Sequence, residues 1–187
     1  SLSILEYLDE TRDLGLLPKD PAGRQGVRAL SYAIAMEIHP VCNLRVAKHA
    51  VAASGGAITM QGWMQAFITP GLTAFEAMLD GGDYCYGDSV TMADICLVPQ
   101  LYNARRWEVD LTPMPKIRRI SDKLDEIPAV AAAHPDLAQR HAVSDLEHAQ
   151  LHRAVVQEET IADTHDLDER RRLQHPRDRL TAERRVV

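Results

Sequence analysis

Apolar residues recur along this chain with helical spacing, and no run of period-two alternation is convincing, so every predicted element is a helix. Leu2, Leu5 and Leu8 form a first amphipathic stripe, and a Leu-rich patch over residues 14–17 leads to a turn at Pro18. From about Asp20 to Ala53 the helical signal is long, with Val27, Leu30, Ile34 and Ile38 on its apolar face. Pro21 falls in the first turn, where a missing N–H costs little. Pro40 interrupts the run and predicts a kink, and Ser54-Gly55-Gly56 ends it. A further helix covers roughly Met60 to Leu79 and stops at Gly81-Gly82. Pro113 and Pro115 bracket a turn before a helix over Lys116–Ile127, and Pro128 and Pro135 punctuate a short last one. The pattern predicts an all-α domain, a helical bundle.

The clearest helix start is Thr91-Met92-Ala93-Asp94. A threonine at the N-cap with an acid three residues on is a capping box, and Val90 and Ile95 stand where a hydrophobic staple would be. The apolar helix that follows ends in Asn103-Ala104-Arg105-Arg106-Trp107, which delivers two cations to one place.

Composition narrows the class without naming a function. The 187 residues suffice for one core with appendages, and 45% hydrophobic with 5% aromatic content suits an Ala/Leu/Val/Ile-built helical protein. No apolar run approaches the roughly 18–20 residues needed to span a bilayer, and Glu6, Asp9 and Glu10 interrupt the first apolar patch, so neither a membrane nor a signal peptide is expected. Cys42, Cys85 and Cys96 form no CxxC pair, which favours reduced thiols and a cytoplasmic place. A net charge of −6 argues against nucleic acid as a partner. After about Val143 the character changes: residues 144–187 hold no aromatic or glycine, and 18 of the 44 are charged, ten acids against eight bases. Ser144-Asp145-Leu146-Glu147 repeats a capping-box pattern, so a helix through about Glu159 followed by a solvated end is expected there.

Arg45, Arg105 and Arg106 are the candidate chemistry. A guanidinium grips a carboxylate through two parallel hydrogen bonds, so two converging arginines suit a substrate with two carboxylates. Surface or helix-end placement is the bland alternative for each. His39, Asn43 and Arg45 surround the Pro40 kink, and His39 and Asn43, four apart, would share a helix face if the helix resumes there. A hydrogen-bonded helix histidine is the alternative for His39. His148 and His152 have metal-pair spacing, but no third ligand accompanies them and no metal site is expected. Cys42 reads as a packed thiol, and Trp63 and Trp107 as core or cleft walls.

Taken together, these strings resemble the zeta class of glutathione transferases, the maleylacetoacetate and maleylpyruvate isomerases, over roughly residues 1–138. Residues 1–8, SLSILEYL, are similar to the class's last helix of the thioredoxin-like domain, and Leu17-Pro18-Lys19-Asp20-Pro21 to its interdomain linker. His39-Pro40-Val41-Cys42-Asn43-Leu44-Arg45 resembles its HPxxNLRV segment. Tyr84 to Asp88, then VTMADICLVPQ, the NARRW string and Val109 to Pro113 resemble its next words in order. The resemblance implies glutathione as cofactor and a reaction that turns a maleyl diketo acid into its fumaryl isomer. It also implies Arg45 and Arg106 as substrate arginines, with His39 and Asn43 beside them, Ser1 at the γ-glutamyl group of glutathione, and a homodimer when full length. The implied domains are 1–17, the last helix of a thioredoxin-like domain; 18–143, the transferase C-terminal helical domain; and 144–187, a charged extension.

The thiol-activating loop of that class, its N-terminal arginine and its cis-proline would all precede Ser1. The chain is therefore expected to be a fragment that does not isomerise on its own, although its parent would. Two other readings stay open: a non-catalytic dimerisation or interaction module, and a general glutathione-conjugating transferase.

Overall fold

The computed structural model describes residues 1–137. They fall into two compact units, Ser1–Ala131 and one beginning at Ala132. The capping-box pattern at Ser144, the helix through Glu159 and the His148/His152 pair lie outside the described residues. No strand occurs among the described residues, whose elements are α1 (Leu2–Arg12), α2 (Pro21–Tyr32), a π-helical segment (Ala33–Ile38), α3 (His39–Val41), α4 (Leu44–Ala53), α5 (Met60–Met78), α6 (Met92–Arg106), α7 (Pro115–Asp125) and α8 (Pro128–Ala132). None of these helices is long and apolar enough to cross a membrane. In the second unit, Leu137 N–H donates to the His134 carbonyl at 2.9 Å.

The apolar stripe Val27, Leu30, Ile34, Ile38 runs unbroken from α2 into the π-helical segment and is buried along its whole length. It packs on α6 and α5, whose own buried faces carry Met92, Leu97 and Leu101, and Met64, Ile68, Leu72 and Phe75. From α7, Ile117, Ile120 and Leu124 close the core. Asp20 caps α2, its carboxylate accepting from Gly23 N–H at 2.7 Å, and Pro21 occupies the first turn.

Pro40 does more than kink the chain. A proline ring clashes with the carbonyl four residues back and offers no N–H. The helix before it widens accordingly, His39 N–H reaching five residues back to the Ile34 carbonyl. After α3 the helix breaks. Asn43 takes φ −60° and ψ 130° and caps α4, its Oδ1 accepting from Arg45 N–H at 3.0 Å. His39 and Asn43 therefore do not share a helix face, contrary to the spacing argument, because Asn43 starts a new helix instead of continuing the old one.

At the end of the π-helical segment the Ile38 side chain packs directly on Gly71 of α5. A Cβ built on Gly71 of α5 would lie 2.5 Å from Ile38 Cγ1, and Ile38 is 1% exposed. Gly71→Ala is expected to cost about 1–2 kcal/mol, the overpacking strain exceeding the helix-propensity gain. A urea midpoint equal to or above that of the unsubstituted chain would contradict this close packing.

Several contacts tie the helices across long sequence separations. Asp9 of α1 accepts from Leu16 N–H at 2.7 Å and Leu17 N–H at 3.1 Å, and Met92 N–H donates to the Leu16 carbonyl at 3.0 Å. Arg28 Nε donates to Glu6 Oε1 at 2.8 Å, joining α2 to α1. The first helix thus packs in the same compact unit as the bundle. At the start of α7, Glu76 of α5 accepts from Lys116 N–H at 3.0 Å and Ile117 N–H at 2.8 Å, doing from a neighbouring helix the work of an N-cap.

Candidate functional site

The site begins with the start of α6. Asp94 is fully buried and accepts three hydrogen bonds, from Cys85 N–H at 2.8 Å, Thr91 N–H at 2.8 Å and the Thr91 hydroxyl at 2.7 Å. The capping box foreseen in the sequence is present, with the Thr91 hydroxyl also turned towards the carboxylate of Asp94. Val90 and Ile95 both pack against the core. Thr91 and Asp94 are thereby committed to folding, and they fix where the rest of α6 points.

The far end of α6 is fixed separately. Gln65 Nε2 of α5 donates to the Trp107 carbonyl at 2.9 Å and the Glu108 carbonyl at 3.3 Å, satisfying carbonyls at the helix C-terminus. Trp107 Nε1 donates to Asn103 Oδ1 at 3.1 Å, and the Arg106 guanidinium carbon sits 5.7 Å from the Trp107 ring centroid. Arg105 goes elsewhere: it donates to Ser121 Oγ at 2.7 Å and lies 3.9 Å from Asp125, linking α6 to α7. The two cations delivered to one place in the sequence therefore separate into a structural arginine and an available one.

Between the two ends, α6 forms one wall of a cleft of about 700 Å³ in the first unit. Ile34 and Ala35 of the π-helical segment, His39, Cys42 and Asn43 line it opposite, and Ser1, Ile4 and Leu5 line it from α1. Of the five residues singled out from the sequence, Ser1, His39, Asn43 and Arg106 meet around this cleft. Arg45 does not line it. The break at Asn43 carries Arg45 into the first turn of α4, exposed. Neither arginine has a carboxylate partner among the described residues.

Trp63 of α5 ties down the end of α3, its indole N–H donating to the Val41 carbonyl at 2.9 Å. Trp107 lines the cleft, whereas Trp63 does not and packs, partly buried, against the core, so the two fill the two expected places, cleft wall and core. Cys42 and Cys96 also line the cleft, each buried. Burial pushes the Cys42 thiol up to about 11 and raises that of Cys96 as well, which keeps both as neutral thiols near pH 7. Among the described residues no cluster of three or more metal-ligating side chains occurs.

Sequence reasoning missed Gln100. It is 4% exposed, lines the cleft from α6, and its buried Nε2 has no hydrogen-bond partner among the described residues. Its neighbours in the sequence give no signal for this, because an orphaned amide is visible only once the surrounding helices are in place.

Residues 61–138 match the family described as glutathione S-transferase, C-terminal domain. A maleylacetoacetate isomerase of Rhizobium meliloti is 56% identical over 144 residues, covering 74% of this chain and 68% of that protein. The chain belongs to the zeta class of glutathione transferases. A maleylpyruvate isomerase of that class, solved in its holo form, superposes with a TM-score of 0.68 at 39% identity, over 72% of this chain and 66% of that one. The maleylacetoacetate isomerase of Anaeromyxobacter dehalogenans, with dicarboxyethyl glutathione and citrate bound, gives a TM-score of 0.69 at 40% identity, over 73% of this chain and 62% of that one. The zeta-class chain thus spans about two thirds of the length of the relatives it matches.

Proposed function

We propose that this chain is the substrate-holding helical domain of a glutathione-dependent cis–trans isomerase acting on maleyl diketo acids, maleylpyruvate or maleylacetoacetate. The observation that supports it most is the meeting of Arg106, His39, Asn43 and Ser1 around one cleft, with Arg106 unpaired among the described residues. The cleft suits glutathione at its α1 end. Ser1 is the N-cap residue of α1, yet its side chain makes no capping hydrogen bond, which leaves its hydroxyl for the γ-glutamyl group. When bound, glutathione supplies the thiolate that adds to the cis double bond and leaves again once the bond has turned.

The chain's own residues would do the holding. Arg106 would grip a substrate carboxylate bidentately at the end of α6, steadied from behind by the Trp107 face. Asn43 keeps its carbonyl oxygen on the α4 cap, so its amide N–H groups are the part available to the substrate. His39 adds a donor or acceptor from the opposite wall. Arg45, two residues beyond Asn43 and exposed on the first turn of α4, is the proposed second cation.

Calorimetric titration of the 187-residue chain tests the reading. Dicarboxyethyl glutathione and citrate are expected to bind, more weakly as salt is raised, and propionate is expected to bind at least about tenfold less tightly, since it lacks the second charge-assisted pair. Equal affinity for mono- and dicarboxylates would sink it. Turnover of maleylpyruvate with glutathione is not expected of the 187 residues alone, and observing it would refute that part. The same reading takes the full-length protein as a cytoplasmic homodimer. Apolar side chains left exposed on α5, Phe67 and Met78, support the dimer, which a monomeric mass of the full-length protein by light scattering would remove.

A further inference from the structure

Asn103, Arg106 and Trp107 stand together at the C-terminal end of α6, and all three line the cleft. Trp107 engages both of the others. Its indole N–H donates to Asn103 Oδ1 at 3.1 Å, and its ring centroid lies 5.7 Å from the Arg106 guanidinium carbon. An indole N–H donates and cannot accept, so the Asn103 amide has one orientation, with its oxygen towards the ring. The NH2 group is the part left for the cleft. Neither of its N–H groups has an acceptor among the described residues, and the nitrogen is not sealed from solvent as Gln100 Nε2 is. Asn103 is half-buried, so a ligand in the cleft can meet these donors.

The surroundings limit what the acceptor can be. No acidic side chain lines the cleft among the described residues. The carbonyls of Trp107 and Glu108 already accept from Gln65. Arg106 follows Asn103 by three residues on the same face, about 4.5 Å further along the axis. Long side chains on a helix lean towards its N-terminus, which carries the guanidinium back towards the Asn103 turn. This end of α6 therefore offers the cleft donors beside a fixed positive charge, an arrangement that fits an anion. A carboxylate has about four acceptor positions on its two oxygens, and a bidentate guanidinium fills two of them. The remaining positions can take an amide N–H.

We infer that Asn103 donates a hydrogen bond to the same ligand carboxylate that Arg106 grips, and that Trp107 is the positioning residue that orients the Asn103 amide for it. The inference rests on the carboxylate-binding role proposed for Arg106 and adds to it a second donor and the group that aims that donor. Trp107 acts through the amide: without the indole N–H, the Asn103 side chain is free to turn its oxygen towards the ligand, where it would repel a carboxylate.

Citrate and dicarboxyethyl glutathione, titrated calorimetrically into the full 187-residue chain and its variants, make the test. Asn103→Leu is expected to weaken both ligands about tenfold, the scale of one lost hydrogen bond to a charged group. Trp107→Phe keeps an aromatic face for Arg106 and deletes only the indole N–H, so a smaller loss of about threefold is expected. The double variant should bind no more weakly than Asn103→Leu alone, because the indole has nothing left to orient. In the unsubstituted chain the Asn103 side-chain amide resonances should shift as citrate is added and saturate at the calorimetric affinity, a measurement independent of any variant. A loss for Trp107→Phe as large as that for Asn103→Leu would make the pair merely structural and overturn the inference. Losses that multiply in the double variant, or an unmoved amide resonance, would also overturn it. If Asn103→Leu binds like the unsubstituted chain while Arg106→Ala weakens binding, only the role of Asn103 fails. If neither ligand binds, the carboxylate reading fails and takes this inference with it.

Discussion

Asp94→Ala is expected to lower the stability of the helical domain by about 3–5 kcal/mol, a large part of the 5–15 kcal/mol typical of a whole domain. The carboxylate is fully buried and accepts from Cys85 N–H, Thr91 N–H and the Thr91 hydroxyl. Truncation leaves these donors in a dry interior, at roughly 1–3 kcal/mol for each group left unsatisfied, with partial relaxation reducing the sum. It also removes the acidic member of the capping box, worth about 1 kcal/mol by itself. Denaturant unfolding would show a lower midpoint at unchanged slope. Thr91→Val, which removes the hydroxyl that donates to Asp94 and accepts from the Asp94 backbone N–H, should cost about 1 kcal/mol, the usual size of a lost N-cap. A loss below about 1 kcal/mol for Asp94→Ala would mean that the segment around Cys85 and the start of α6 hold each other without this carboxylate.

Arg106→Ala should act in the opposite register, weakening dicarboxylate binding about tenfold or more while leaving stability nearly unchanged. A charge-assisted bidentate bond is worth roughly 1.5–3 kcal/mol, and each 1.4 kcal/mol is a factor of ten. The folded chain has little to lose, because Arg106 is exposed and its neighbour is the face of Trp107. Arg105→Ala provides the contrast. It removes the bond to Ser121 and the long, solvent-screened pairing with Asp125, so a modest stability loss is expected with affinity unchanged. Titration of both variants with dicarboxyethyl glutathione, alongside thermal melts, separates the two roles. If Arg105→Ala loses binding and Arg106→Ala does not, the assignment of the two arginines is reversed.

Local signals were legible where the physics is local. Val27, Leu30, Ile34 and Ile38 could be read as a buried stripe because a helix repeats its faces every three to four residues, and all four are buried. The Thr91–Asp94 box was legible because both arms close within three residues. The Pro40 interruption was legible as an interruption, but its form was not. Apolar spacing at Ile34 and Ile38 is compatible with both an α- and a π-helical turn, and the choice was made where the proline ring meets the carbonyl behind it. The pairing of His39 with Asn43 misled for a related reason: a side chain that can continue a helix face can equally cap the next helix, and Asn43 caps.

The sequence by itself determined the all-α class, the positions of the helices, the folding role of Thr91 and Asp94, and, through its ordered motifs, membership of the zeta class. Tertiary structure alone decided which polar groups are available. Glu76 lies 40 residues from the helix start it satisfies, and Gln65 lies 42 from the Trp107 carbonyl that it holds. Arg105 became structural only because Ser121 came within 2.7 Å, leaving Arg106 as the cation at the cleft. The helices packed around Gln100 leave its buried amide nitrogen without an acceptor among the described residues. Helix periodicity is written in neighbouring residues, whereas hydrogen-bond satisfaction depends on what folding brings within about 3 Å, and that is set by segments far apart in the chain.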